Sequence, residues 1–392
     1  MNMLLGEIDI GRKCYMIYGS AIMTDRTKKR LSSLDAFRGI TIAGMILVNN
    51  PGSWKYIYAP LRHAPWHGWT PTDLVFPFFL FIVGVSVSLA LSKRIERGDS
   101  LASVYLKVVM RSLVLFALGM LLRLLFHFNF EGVRIPGVLQ RIAVCYLVSA
   151  LVFSKVGTKG RIAVIFFLLA GYYLVMKLVP VPGYGPGIMD FQGNLCGYID
   201  TKLLGGHLYK PGFDPEGILS TFPAIATVLI GTLTGDWLRS SRRVVRKSAG
   251  LFAAGFLLTA SGLLLHPVFP INKQLWTSTF VLFTAGAALL LLGVCYVLID
   301  GIALKKWAFP FLVLGSNAIF AYATSILAAK LLVLIKVPTS GGTVALQTYL
   351  FEHFFSPLAG NFAGSLIFAL LFVVLWVVLL IPFYRKRIFI KI

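Results

Sequence analysis

Charge is what this sequence has least of. Asp, Glu, Lys and Arg make up 13% of its 392 residues, against the roughly 25% usual in a soluble domain. Hydrophobic residues make up 57% and mean hydropathy is +0.81, more apolar surface than a water-soluble core can hide. Cysteine is also sparse. The four, Cys14, Cys145, Cys196 and Cys295, never take Cys-x-x-Cys spacing, and two sit inside apolar runs, so neither a metal site nor a disulfide framework is indicated. Residues 1–22 lack the long apolar centre and small-residue cleavage site of a signal peptide. Residues 1–30 are therefore expected to be a disordered basic leader, with translation expected to start naturally at Met23. No internal repeat, low-complexity tract or soluble insert interrupts the rest, so 31–392 reads as one transmembrane domain. A formal net charge of +22 raises the question of nucleic acid. The Lys and Arg stand in short clusters between apolar runs, not along one face, which argues against it.

What is present is a series of long apolar runs. Stretches 72–91, 108–126, 162–179 and 366–382 each approach the roughly 20 residues a spanning helix requires. The pattern predicts an all-α, polytopic membrane bundle of about ten helices, at 36–50, 73–92, 104–126, 137–154, 161–179, 216–238, 248–266, 275–299, 308–335 and 362–384. Of the 37 Lys and Arg, 25 fall in or beside one set of alternate connections or the termini, and seven in the other set. The positive-inside rule then puts both termini in the cytoplasm. The expected setting is a lipid bilayer, the bacterial inner membrane. Three connections on the charge-poor side, 51–71, 180–215 and 337–361, are too long for plain turns, the last with an amphipathic stretch at 349–355, and function is expected to gather there.

Histidine is the natural general base near neutral pH, and the chain has six. His63 and His67 lie in Arg62-His63-Ala64-Pro65-Trp66-His67-Gly68, a segment stiffened by proline and tryptophan between the first two spans. Polar groups in or beside spans are costly and become candidates by default. Asn49 and Asn50 end the first span, Arg38 begins it, Asp73 opens the second, Gln140 and Arg141 lie one turn into the fourth, and Asn317 sits in the ninth. Each also has a plainer role open to it: Asp73 as a helix cap, Arg38 as a partner of Asp35 or a snorkelling cation, Asn317 as an interhelical hydrogen bonder.

Four separated stretches resemble the heparan-α-glucosaminide N-acetyltransferase family: Leu34-Asp35-Ala36-Phe37-Arg38-Gly39; His63-Ala64-Pro65-Trp66-His67-Gly68-Trp69-Thr70 running into Asp73-Leu74-Val75-Phe76-Pro77-Phe78; Arg134-Ile135-Pro136-Gly137-Val138-Leu139-Gln140-Arg141; and Asn272-Lys273-Gln274-Leu275-Trp276-Thr277. Asp214-Pro215-Glu216-Gly217 and Gly315-Ser316-Asn317 add weaker matches in the same order. The resemblance implies an acetyltransferase that carries an acetyl group from cytosolic acetyl-CoA, with no metal, to the amine of a glucosamine-type sugar across the membrane. It implies a catalytic histidine heading the His-Ala-x-Trp-x-Gly motif, here His63, assisted by an asparagine at the outer end of the preceding span, here Asn49. On that reading Arg38, Arg141, Gln140 and Asn317 are candidates for holding acetyl-CoA. Asp73, Asp214, Glu216, His67 and Trp66 are candidates for holding the sugar. The chain departs from the animal lysosomal enzymes in its second histidine, His67, and is expected to lack their large luminal domain and extra first helix. A free sugar and a glycan acceptor both stay open. The rival functions are an amino-sugar or N-acetylglucosamine transporter and an acyltransferase modifying a cell-envelope glycan, and a homodimer is an open alternative to the single chain.

Overall fold

A computed structural model describes residues 31–125, 132–339 and 342–390. The leader expected before residue 31 lies outside them. Nine of the ten expected spans each coincide with one helix among the described residues, and 308–335 holds two. We label the helices α1 (Ser32–Asn49), α2 (Pro71–Glu96), α3 (Leu101–Leu124), α4 (Val138–Lys155), α5 (Thr158–Leu178), α7 (Thr221–Arg239), α8 (Val244–Leu264), α9 (Ser278–Cys295), the pair α10 (Phe309–Ser316) and α11 (Ala318–Leu334), and α14 (Asn361–Arg385); α6 (Leu195–Leu204), α12 (Leu346–Leu350) and α13 (Ser356–Ala359) lie in connections. Seven are long and apolar enough to cross a membrane unaided, α9 with its continuation to Gly301 among them, and the α10–α11 pair makes an eighth if it is one bent span. The chain is a polytopic helical membrane protein.

The two remaining helices, α1 and α7, are more polar, and their placement explains why they can be. Most of α7 is buried, including Thr227, Thr232 and Thr234, and α1 buries Ser33, Asp35 and Thr41. A helix enclosed by other helices needs no lipid-compatible face, whereas α3, α5, α8 and α14 are largely uncovered and present residues such as Phe166, Phe167, Phe256, Leu257 and Leu371 outward, as a lipid-facing ring must.

Close helix approach holds the interior together. A β-carbon at Gly84 of α2 would fall 1.9 Å from the Val228 carbonyl oxygen of α7, and one at Gly231 2.2 Å from that of Phe81. Small residues at such seams let backbones touch, which is how helices gain packing energy in lipid.

The span expected over 308–335 is continuous in the sequence pattern but broken in the structure. The α10 and α11 axes meet at 76°, with Asn317 non-helical at the break (φ −131°, ψ 46°). Its side chain donates to the Ile388 carbonyl (3.0 Å) and accepts from the Ile390 N–H (2.8 Å). It thus ties the break to the backbone beyond α14.

The long connections meet at one end of the bundle. The 51–71 segment bonds 180–215 through Trp66 Nε1 and the Met189 carbonyl (2.8 Å), bonds the α8–α9 turn through Gly68 N–H and the Ile271 carbonyl (2.8 Å), and accepts at the Pro51 carbonyl from Gln347 Nε2 (2.7 Å). Ile135 N–H of the α3–α4 connection donates to the His207 carbonyl (3.1 Å). Short antiparallel pairs stiffen two of these segments: β1 (Pro180–Val181) with β2 (Gly185–Pro186), and β3 (Lys336–Thr339) with β4 (Gly342–Ala345). Beneath them, Tyr172, Met176, Val181, Leu195, Phe213, Phe269 and Leu275 form a compact apolar floor.

Because the atom facing Gly84 is backbone and cannot rotate away, Gly84→Val is expected to destabilise the bundle by at least about 1–3 kcal/mol, read as a lowered thermal midpoint of the detergent-solubilised protein.

Candidate functional site

The site grows from the start of α2. Thr70 has extended backbone, Pro71 follows at the first helical position, and Asp73 three residues later closes a capping box, the arrangement that satisfies otherwise unpaired N–H groups at a helix start. The Asp73 carboxylate does more than cap. Its Oδ2 accepts from Thr70 N (3.0 Å), Thr70 Oγ1 (3.1 Å) and, back along the loop, Ala64 N (3.0 Å). Its Oδ1 lies 2.6 Å from His63 Nδ1. The carboxylate is 1% exposed and the His63 side chain 47%. An ionised carboxylate can only accept, so Nδ1 carries the proton and Nε2 is left as the basic atom.

A second turn, between α8 and α9, braces the first. Asn272 pairs with Gly68 as an isolated parallel bridge, and Gly68 sits at φ +92°, a conformation that favours glycine. Asn272 Oδ1 accepts from Leu275 N (2.8 Å), and its Nδ2 lies 3.3 Å from His67 Nδ1. The next residue, Lys273, sends its ammonium back to the start of α2, 3.0 Å from His63 Nδ1 and 3.3 Å from Asp73 Oδ1. Burial pushes the Lys273 pKa below the ordinary lysine value, against the pull of Asp73 and Glu216. His67 is also lowered, first by burial and then by His266, with Asp190 opposing. Trp66 stands edge-on to Phe191 and Phe213 at 5.5 and 5.3 Å, which pins the middle of the histidine loop to the apolar floor.

Below lies a polar layer. Arg141, from the first turn of α4, is fully enclosed. It donates to the Gly217 carbonyl (3.1 Å) and the Ser220 hydroxyl, and stands over the Trp276 ring at 5.2 Å, while its Nε and Nη1, like Gln140 Nε2, have no hydrogen-bond partner among the described residues. Trp276 N–H in turn bonds the Lys273 carbonyl (3.1 Å), so this layer is continuous with the histidine. Asp214 and Glu216 are both held by Arg134, which grips Asp214 through two bonds of 2.6 Å and also pairs with Glu216. Asp214 further accepts from Tyr209 N (2.8 Å) and Glu216 N (2.9 Å). Asp200 of α6 lies behind Gly217, accepting from Ile218 N (2.8 Å), with Oδ2 unpartnered among the described residues. Burial raises its pKa to about 6, against the Ile218 bond and the Arg141 charge.

The structure thus brings His63, Asp73, Trp66 and His67 into one cluster, with Gln140, Arg141, Asp214 and Glu216 beneath or beside it. Asn49 ends α1 exposed, without a hydrogen bond to His63 among the described residues; its neighbour Asn50 turns inward to the Ile46 carbonyl (2.6 Å). Arg38 and Asn317 belong to the opposite end. Arg38 pairs with Asp35 (2.9 Å) and donates to Ser86 (2.9 Å), about 16 Å along α1 from Asn49 at 1.5 Å per residue. Sequence reasoning missed Lys273, Arg134 and Asp200 as site residues. Lys273 and Arg134 entered it only as topological charges, although each stood in a quoted motif on a charge-poor connection. No group of His, Cys, Asp and Glu among the described residues could hold a metal ion.

Residues 30–262 match the family model described as "Heparan-alpha-glucosaminide N-acetyltransferase, catalytic". The human protein named heparan-alpha-glucosaminide N-acetyltransferase is 33% identical over 75% of this chain, and the mouse protein of that name 31% over the same share. The alignments cover 52% and 53% of those proteins, so the chain spans about half the length of the curated relatives it matches.

The raised pKa of Asp200 has a sign that can be measured. A carboxyl raised from 3.8 to about 6 favours the folded state while protonated, so its contribution is present below pH 3.8 and is lost as pH rises through about 6. At about 1.4 kcal/mol per pH unit the loss is on the order of 3 kcal/mol. Asp200→Asn is expected to remove it, gaining thermal stability over the wild type at pH 8 but not at pH 4. An equal difference at both values would contradict the assignment.

Proposed function

The chain belongs to the heparan-alpha-glucosaminide N-acetyltransferase family, and from that premise we propose that it is a transmembrane N-acetyltransferase. It takes an acetyl group from cytosolic acetyl-CoA and places it on the amine of a glucosamine-type sugar at the outer side. The observation that carries this reading is the His63–Asp73 pair. A buried carboxylate that fixes the proton on Nδ1 leaves Nε2 of a half-exposed imidazole as a base at the mouth of the bundle.

The reaction follows from that geometry. The sugar amine attacks the thioester carbonyl carbon, and an N–C bond forms as His63 Nε2 takes the departing N–H proton. Asp73 stabilises the imidazolium without taking its proton. The C–S bond then breaks, and the CoA thiolate leaves and is protonated by the imidazolium. Asn49, at the outer end of α1, donates to the developing oxyanion. Arg141, with two N–H directions unfilled among the described residues, and Gln140 face the acyl end of the donor. Glu216, Asp214, His67 and Trp66 line the sugar side. Arg38 and the basic clusters at the opposite end attract the donor's phosphates, for which arginine is well suited, and Asn317 holds the break beside Arg38 in place. In this arrangement ten helices cross the membrane, the α10–α11 pair counting as one, with both termini in the cytoplasm.

Membranes carrying the chain, given labelled acetyl-CoA and glucosamine, are expected to form N-acetylglucosamine. His63→Ala is expected to cut the turnover by about 10²–10⁴-fold, the usual worth of a general base, while acetyl-CoA affinity stays within a few-fold. Wild-type turnover in that variant would refute the role. Sidedness has its own measurement. A cysteine placed at Lys202 is expected to react with an impermeant maleimide on intact cells, and one at Arg243 only after permeabilisation. The reverse pattern would put His63 on the donor's side and remove the need for membrane-crossing chemistry.

A further inference from the structure

Lys273 stands where a cation has an unusual effect. Its ammonium is 3.0 Å from His63 Nδ1 and 3.5 Å from Nε2. A point this close to both ring nitrogens lies over the imidazole face, because an in-plane position on that side would collide with the ring carbon between them. The side chain is 16% exposed, so its charge is only partly screened by water. Nδ1 gives its proton to Asp73 and cannot accept from Lys273, and the lone pair of Nε2 lies in the ring plane, away from a cation over the face. Its Coulombic effect on the ring is what remains.

Charged groups act on His63 from two directions, with a third behind Lys273. Asp73 comes from the start of α2 and favours the imidazolium. Lys273 comes from the α8–α9 turn and opposes it. Glu216, from the connection before α7, acts on Lys273. On the histidine's own segment, Arg62 turns away to the Ile57 carbonyl (2.8 Å). The Asp73 charge favours the imidazolium, the form that cannot accept a proton, and a cation beside the ring opposes it.

We propose that Lys273 is a positioning residue of this reaction: its ammonium, laid against both the His63 ring and the Asp73 carboxylate, offsets the carboxylate's charge and keeps His63 an unprotonated base at neutral pH. The proposal rests on the reading of His63 as the base. It accounts for a largely enclosed lysine in the α8–α9 turn, and it assigns the Asn272-Lys273 turn a task beyond bracing Gly68. Burial alone would disfavour the ammonium, and the Asp73 and Glu216 carboxylates act against that loss of charge.

The test compares the wild type, Lys273→Met, Lys273→Gln and Lys273→Arg as full chains in detergent. It uses two readouts between pH 5 and 9. One is kcat/KM for acetyl transfer to glucosamine; the other is the rate at which diethyl pyrocarbonate modifies His63, followed by mass spectrometry with fragment ions that separate His63 from His67. The reagent attacks only neutral imidazole and needs no turnover. In the Met and Gln variants both acidic limbs are expected to move up by about one pH unit or more, as removal of a like charge at this distance implies, while Lys273→Arg keeps the wild-type position. Unmoved limbs, or equal shifts in the Arg and Met variants, would overturn the proposal. So would a Met and Gln pair that fails to fold while the Arg variant folds, since that assigns Lys273 to structure. If no variant and not even the wild type transfers acetyl groups, the acetyltransferase reading fails, and the modification titration still decides whether Lys273 sets the protonation of His63.

Discussion

The buried carboxylate of Asp73 is the joint on which the working end of this protein depends. One side chain caps α2 through Thr70, ties down the loop at Ala64, fixes the tautomer of His63 and meets the ammonium of Lys273. Taking a carboxylate out of water is costly unless its lone pairs are filled, and here they are filled by groups from three stretches of chain. Removing it would therefore loosen the helix start, the histidine and the α8–α9 turn together.

The rest of the bundle can be read as support for that joint. The α2–α7 seam brings backbones close enough that only glycine fits at Gly84 and Gly231, which fixes the direction from which Asp73 enters the loop cluster. Trp66, donating to Met189 and packed on Phe191 and Phe213, holds the middle of the histidine loop against the 180–215 connection. The Asn272–Gly68 bridge brings Lys273 into reach. At the far end Arg38 and Asp35, on the same α1 helix that ends at Asn49, form a separate polar group with Ser86 of α2 and the Gly315 carbonyl beside the Asn317 break. A donor spanning the bilayer would have to connect these two ends.

Several polar residues singled out from the sequence turn out to have their polar groups met within the protein. Asp214 and Glu216 share Arg134, and Asn317 is occupied by backbone. Such groups need partners where water is scarce. Arg141 Nε and Nη1 and Gln140 Nε2 find no partner among the described residues, as do Asp200 Oδ2 beside them and, elsewhere in the bundle, single atoms of Ser33, Ser149, Arg161, Thr259 and Trp376.

Local chemistry made part of this protein legible from sequence alone. Runs of about 20 apolar residues have one stable form in lipid, so the helices could be placed from the chain, and they fell where expected. Motifs such as His63-Ala64-Pro65-Trp66-His67-Gly68 mark the family because their order along the chain is itself information. What sequence could not give was which charges meet. Asp73 looked like a cap or a sugar anchor, and its bond to His63 across ten residues required the turn between them to fold back. Lys273 lies 210 residues from His63, and Arg134 lies 80 from Asp214; no local rule pairs groups at such separations. The break at Asn317 was hidden for the same reason, since hydropathy records only how apolar a segment is. The bend there depends on a backbone more than seventy residues away that fills the asparagine's hydrogen bonds. Helix existence is decided by each segment's own contact with lipid, whereas the site is decided by contacts that exist only once distant segments have packed.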